Sequence, residues 1–424
     1  MKKFSLILAA LLAASITFAG CAKDNANDKN TEFKPSLDTK ASAEIEVATF
    51  FGNFEAFDQV INHFNDFYPN IKISYSTFSD TSSDNFLTDN PNIDIFMTSN
   101  DRGYNTDRCV NLTEEKIDVS AYQQVVIDGN KVDGELYSLP MGLKLTGLVV
   151  NKTLLEKEGL SVPQTWSEFT SVLQTLKNKG YTPIQGPQTF MNALVYDMNM
   201  CIVKTDASVL NAVKSGDAEG AAKLQTVYER LLYLSENEYF TEEVNATYPA
   251  NNYNDSIMHF FEGDVPFWVC DTEKVSGMKK RESQSAAFAA NSFEYKFMFS
   301  PIGDNGAYAY IEPWYGFAVN KDSKVSDYAL EFMRFIARED ELNTLASIKG
   351  IPSAAENFSD SRYSDLGKSK IELSAIKTTS LPYYVENNMS IVSRELLGGT
   401  LQNASDALQA YLTKCAESAK QGQR

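Results

Sequence analysis

The stretch that decides the fold is Gly134–Phe169, GELYSLPMGLKLTGLVVNKTLLEKEGLSVPQTWSEF. Its spacing predicts a short hairpin, an apolar strand, a polar Asn151-Lys152 stop, a short helix and then a second, capped helix. Leu143 to Val150 alternates weakly and becomes continuously apolar, the pattern of a strand buried on both faces of a parallel sheet. Thr165-Trp166-Ser167-Glu168 has the form of a capping box. In that arrangement Thr165 accepts from a first-turn N–H and Glu168 reaches back to the N–H of the cap. Pro163 keeps the chain extended just before it.

Upstream, Glu44–Phe51 reads as a first strand. Phe54–Tyr68 reads as an amphipathic helix, with Phe57, Val60, Ile61, Phe64 and Phe67 at helical spacing. Pro69-Asn70 stops it, Ile71–Tyr75 is a second strand and Pro91–Thr98 a third, followed by the polar loop Ser99–Gly103. This β-α-β-loop-β opening is an α/β pattern with parallel strands. Downstream the chain turns mainly helical. Apolar faces recur through Trp166, Phe169, Val172, Leu173 and Leu176, and through Leu224, Val227, Tyr228, Leu231 and Leu234. Tyr253–Phe261 is a further helix and Val265–Cys270 a short buried strand. Phe297–Pro301 and Trp314–Asn320 are later strands, and Asp327–Ala337 is a helix. Gly350 and Pro352 then break the chain before a largely helical C-terminal segment.

At 424 residues the chain suits two lobes rather than one core. Aromatic residues are 12% of it, more than a core needs, which leaves rings for a binding surface. The N-terminus has the shape of a secretion signal: Lys2-Lys3, an apolar run from Phe4 to Phe18, then Ala19-Gly20-Cys21. The run is too short for a comfortable transmembrane helix. Phe18-Ala19-Gly20-Cys21 resembles a bacterial lipobox with Phe in place of the usual Leu, which would make Cys21 the lipidated first residue after removal of residues 1–20. The other reading is an ordinary signal with an incidental cysteine. Residues 21–43 then read as a flexible tether. The formal net charge is −18, and losing Lys2 and Lys3 makes it more negative, so neither nucleic acid nor an anionic membrane surface is an expected partner. Cys109, Cys201, Cys270 and Cys415 are widely spaced with no CxxC, and Cys201 and Cys270 read as buried thiols. His63 and His259 read as structural, so no metal site and no cofactor are expected.

Five blocks in order carry a resemblance. EIEVATFFGNFEAFDQVINHFNDFYPNIKISYST from Glu44, NIDIFMTSNDRGYNTDRCVNL from Asn92, the 134–169 stretch, FFEGDVPFWVCD from Phe260 and PWYGFAVNKDSKVSDYALEFMRFI from Pro313 are similar to the solute-binding lipoproteins of bacterial ABC importers. The similar group is the carbohydrate-binding, maltose-binding-protein-like one, and the likeness covers most of residues 44–355. It implies an α/β, two-lobed periplasmic-binding-protein-like fold of type II with the ligand cleft between the lobes. Residues 44–143 plus 301–337 would form lobe 1 and residues 149–296 plus 340–424 lobe 2, with crossings near 144–148, 297–301 and 338–340. It also implies a monomer, lipid-anchored on the outside of the cell membrane, that delivers a sugar or oligosaccharide to membrane permease subunits.

A sugar needs aromatic platforms for its ring faces and carboxylate, amide or cationic groups for its hydroxyls. Candidates follow the strand ends. Phe51, Asn53 and Glu55, with Phe50, sit after the first strand, and Asn100, Asp101 and Arg102 after the third, where the group has binding residues. Lys144 falls where maltose-binding proteins carry a carboxylate, which argues for a ligand unlike maltose in detail. Tyr196 and Asp197 offer a ring and an acceptor. Trp268 lies in an apolar strand. Asp271-Thr272-Glu273 replaces the group's Gly-x-Trp, so Asp271 offers a carboxylate where a stacking Trp is usual. Trp314 and Tyr315 open a late strand after Pro313. No catalytic motif of the GxSxG, P-loop or HExxH kind is present, so the protein is not expected to be an enzyme. Two other readings remain: a binding protein for a cationic solute such as a polyamine, suited by Glu55, Asp101 and Asp271, and a cell-surface glycoside hydrolase, which would need two facing carboxylates. A structural or adhesive lipoprotein would bind no ligand at all.

Overall fold

A computed structural model describes residues 33–82, 85–98, 104–186, 190–240, 253–377 and 381–422. The opening segment folds as its spacing predicts. Strand β1 (Ala43–Thr49) buries Ile45 and Val47, and helix α1 (Glu55–Asn65) buries Phe57, Val60, Ile61 and Phe64 on one face. Strand β2 (Ile71–Thr77) and the short β3 (Ile95–Thr98) flank β1 in parallel. The sheet is completed by β4 (Leu139–Pro140) and the late strand β11 (Gly316–Val319), in the order β2-β1-β3-β11-β4, with β11 antiparallel to both neighbours. Its core is aromatic. Phe57 packs on Phe317 and Phe332, and Phe64 on Tyr68 and Phe335. Each such ring, once buried, contributes on the order of 1.5–3 kcal/mol.

The 134–169 stretch carries the chain from this sheet into a second one. A tight turn at Asp133-Gly134, both with positive φ (51° and 87°), closes the Val132–Glu135 bridge. β5 (Leu143–Lys144) and β6 (Thr146–Asn151) follow. The second sheet has the order β7-β8-β6-β9, with β7 at Ile184–Gln185, β8 at Phe267–Asp271 and β9 at Tyr295–Met298. β6 is buried throughout, as expected, but both its neighbours are antiparallel, so the expected parallel pairing is corrected. An apolar run reports burial on both faces, which helices on either side supply here, and carries no information on strand direction. Leu148 and Val150 point into one core and Val149 into the other. At Gly147 a Cβ would lie 2.2 Å from the Met298 carbonyl oxygen, so only glycine lets β9 close on β6.

Asn151 ends β6 and caps α2 (Lys152–Lys157) through its side chain, which accepts from the Leu154 amide. Thr165 caps α3 (Trp166–Asn178) and accepts from Glu168 at 3.3 Å. The return arm differs from a capping box: Glu168 accepts from the Gln164 amide, one residue before the cap, at 2.7 Å. Thr165→Ala is expected to cost about 1 kcal/mol in urea unfolding and to leave ligand affinity unchanged.

Besides the two-residue β7, two longer strands escape the sequence reading. β10 (Ala307–Pro313) precedes β11, and β12 (Ile371–Ile376) interrupts the segment read as helical. With β5 they form a third sheet, β12-β10-β5, in which Lys144 is paired with Glu312 and Leu143 with Pro313. Two of the chain segments that pass between the larger sheets, 143–146 and 313–316, thus run side by side. Residues 338–340, expected at a crossing, join helices Ser326–Ile336 and Glu339–Lys349, which share a core with the first sheet. His63 Nδ1 lies 3.0 Å from Glu341, tying α1 to the second of them.

Residues 33–43, expected as part of the tether, are docked on the fold. Phe33 is buried against Phe67 and Phe335, and Ser36 donates to Glu331, so residues from 33 onward dock on the first sheet's body. Residues 1–32, with Cys21, lie outside the described residues. No helix among the described residues is long and apolar enough to cross a membrane. Cys109, Cys201, Cys270 and Cys415 are all buried and free.

Candidate functional site

The strand ends of both larger sheets and the third sheet converge on two adjoining pockets. The first, about 300 Å³, is lined by Lys144 and Thr146, by Asp271 at the end of β8, by Glu312 of β10, by Phe190 and Tyr196, and by Tyr383, Glu386 and Arg394. Tyr196 lies on the helix Ala193–Thr205, and Tyr383 opens the helix Tyr383–Leu397 after Pro382. The second pocket, about 330 Å³, lies between Phe51, Trp314, Tyr315 and Lys349 on the first sheet's side and Tyr253, Asn254, Glu273 and Lys274 on the other. Lys274 stands where they meet. Its ammonium is 3.4 Å from both Asp271 oxygens and 5.2 and 4.8 Å from the Phe190 and Tyr253 ring centres.

The first pocket has a buried chain of alternating charge along one wall. Lys144 Nζ is 3.8 Å from Glu312, Lys377 donates to Glu312 at 3.0 Å, and Lys377 also donates to Glu386 at 2.9 Å. Glu312, Lys377 and Glu386 are all buried. Such a chain is costly to break at one of these buried members, because a buried charge is left without its partner.

Phe51 and Trp314 stack at 5.7 Å and 29° in the second pocket, with Tyr315 edge-on to Phe51. Trp314 is itself buried, and its indole N–H donates to Glu273 at 2.8 Å, linking the first sheet's rim to the second's. Asp271 caps the turn that starts at Thr272, accepting from the Lys274 amide at 3.0 Å.

Not all of the remaining candidates meet the pockets. Asn53 and Glu55 are exposed and line neither pocket. Trp268 is in the core, its indole N–H donating to buried Ser256 at 2.6 Å. Tyr196 and Asp197 part company because adjacent helix residues face different ways: Tyr196 meets the pocket, and Asp197 is buried. Asn100, Asp101 and Arg102 lie outside the described residues. Glu312, Glu386, Tyr383, Lys274 and Lys349 were missed. Glu312 ends a strand that was not recognised, and the others sit at helix ends, where no strand-end rule looks. Away from the cleft, His259, Glu262 and Asp264 bring donor atoms within 4.8 Å of one another, but His259 is already bonded to Glu262 and Gln185.

Burial holds the Asp197 carboxyl well above the usual carboxylate range, with nearby Glu312 adding to the effect and the Tyr310 amide opposing it. A raised folded-state value means that Asp197 contributes stability fully below its unfolded value near 3.8 and loses it as pH rises toward the folded value. Asp197→Asn is therefore expected to gain on the native protein as pH rises from 4 to 7, by up to about 1.4 kcal/mol per pH unit in urea unfolding. Identical pH profiles would mean that Asp197 ionises in the fold without cost.

The comparisons with known proteins agree with this architecture. The family described as "Bacterial extracellular solute-binding protein" matches residues 51–342. The multiple sugar-binding protein of Streptococcus mutans is 40% identical over 53 residues, 12% of this chain and 13% of that protein. The match thus spans a small part of that relative. The sugar-binding protein MalE of Xanthomonas citri superposes with a TM-score of 0.70 at 18% identity, over 90% of this chain and 98% of that one. A sugar transporter protein from Bacillus licheniformis, solved with stachyose, gives 0.62 at 18% identity, over 90% and 99%. The chain belongs to the bacterial extracellular solute-binding protein family and has its two-lobed, type II α/β fold.

Proposed function

We propose that this chain is the extracellular capture subunit of an ABC importer and that its cargo is a sugar or oligosaccharide. The observation that carries the reading is the cleft itself. Aromatic faces from Phe51, Tyr253, Tyr315 and Tyr383 stand beside Asp271, Glu312, Lys144 and Lys274, the mixture that sugar rings and hydroxyls require. Two adjoining pockets suit an oligosaccharide better than a single ring. The Streptococcus mutans and Xanthomonas citri proteins, sugar-binding by name, and the Bacillus licheniformis protein with stachyose support the same cargo class.

In this reading the lobes are the bodies around the five- and four-stranded sheets, joined at 143–146, at 313–316 and beyond Gly350. Ligand favours the closed arrangement because only that state contacts it from both sides, and membrane permease subunits read the closed form. Cys21 carries the lipid that holds the monomer at the membrane. The side chains in the cleft bind and orient, with no covalent step. Lys144, Lys274 and Lys349 at the pockets weigh against a cationic solute.

Lys144→Ala is expected to weaken saccharide binding about tenfold by isothermal titration while shifting unfolding little, because Lys144 is partly exposed and 3.8 Å from Glu312. Unchanged affinity with a large loss of stability would mean that Lys144 is scaffold. Release of reducing sugar from glycans would overturn the binding-protein reading in favour of a hydrolase.

A further inference from the structure

The cleft of this acidic chain contains an ammonium that the described side chains leave without a paired anion. Lys349 ends the helix Glu339–Lys349, immediately before Gly350, which turns the chain with a φ of 77°. Its Nζ lies 4.2 Å from the Phe51 ring centre and 5.6 Å from that of Trp314, inside the second pocket. Among the described residues it makes no hydrogen bond and no ion pair. Glu273 lines the same pocket, but its carboxylate accepts from Trp314 and faces Lys274 at 3.7 Å. Burial pulls the Lys349 amine below the usual lysine range, and Glu273 only partly restores it. Ring faces stabilise an ammonium but offer its three N–H groups no lone-pair acceptor.

Resting on the sugar-binding reading above, we propose that Lys349 is the specificity residue for a carboxylate on the cargo, and that the cargo class is an acidic saccharide bearing a uronate. The uronate ring would lie against the Phe51–Trp314–Tyr315 aromatic wall with its carboxylate at Lys349. Lys274, already shared between Asp271 and Glu273, supplies longer-range positive potential rather than the direct contact. A neutral sugar hydroxyl would also accept from Lys349, but a charge-assisted bond is roughly twice as strong as a neutral one. The rest of the cleft then holds the neutral portion of the chain against Tyr383, Asp271 and Glu312.

The test uses the full-length protein and isothermal titration against matched pairs. Oligosaccharides of galacturonate, glucuronate and mannuronate are each compared with their carboxyl-reduced neutral twins. At least one acidic member is expected to bind about tenfold or more tighter than its twin. Lys349→Met should weaken the acidic member about tenfold more than its neutral twin and so remove that preference, and Lys349→Arg should restore most of it. Thermal unfolding of each variant shows that the fold is intact. Equal binding of acid and twin, or a preference that survives Lys349→Met, overturns the inference while the sugar-binding reading stands. Binding of no saccharide in either series overturns both.

Discussion

Replacing Glu312 by alanine is expected to destabilise the protein by about 3–5 kcal/mol, the cost of breaking a buried ion pair from one side. Glu312 is the central anion of the cleft wall, between Lys144 and Lys377, and is almost completely buried. Its removal leaves Lys377 with Glu386 as its one remaining partner in that chain and opens a void where β10 meets β5. Glu312→Gln keeps the volume and one acceptor, so it should cost distinctly less. Urea unfolding of both variants checks this. If the two lose equal stability, the charge is immaterial and only the packing of β10 counts.

Trp314→Ala is expected to cost a similar amount, about 3–5 kcal/mol, and also to lower saccharide affinity sharply. The stability loss follows from truncating a large buried side chain that fills the space beside Phe51. The affinity loss follows from its indole N–H, which holds Glu273 across the second pocket. Trp314→Phe separates these roles: it keeps most of the ring and deletes the donor. It should recover most of the stability, and affinity should fall between wild type and Trp314→Ala. Full affinity in Trp314→Phe would show that the Glu273 hydrogen bond does nothing for binding.

The helices that were most legible in the sequence are those whose burial is one-sided. α1 and α3 announce themselves through Phe57, Val60, Ile61 and Phe64 and through Phe169, Val172, Leu173 and Leu176, since a helix half in water must alternate its chemistry every turn. β10, AYAYIEP, is buried at all seven residues, but it was lost because Glu312 interrupts its apolar run and reads as a surface residue. β12, IELSAI, is mostly half-buried and sits among helical composition. The direction of β6 was not legible because hydrogen-bond polarity leaves no trace in one strand's composition.

The candidate site divides on the same line. Phe51, Lys144, Asp271, Trp314 and Tyr315 were reachable because cleft residues gather at strand ends, and each follows or ends a strand. Lys349 and Tyr383 come from a helix C-terminus and a helix N-terminus. Their meeting with the cleft depends on how the helix before Gly350 packs and how the chain returns after it, a tertiary fact with no local signature. Trp268 shows the converse error. A tryptophan in an apolar strand has the right chemistry for a sugar platform, but Ser256 takes its N–H in the core.

The measurement that bears most directly on the account is isothermal titration of the full-length protein with di-, tri- and tetrasaccharides, acidic and neutral, beside a polyamine series. The account predicts saturable binding of at least one saccharide at one site per chain, weakened by Lys144→Ala and by Trp314→Ala, with no heat from the polyamines. Heat from polyamines alone, or saccharide binding indifferent to both substitutions, would contradict it.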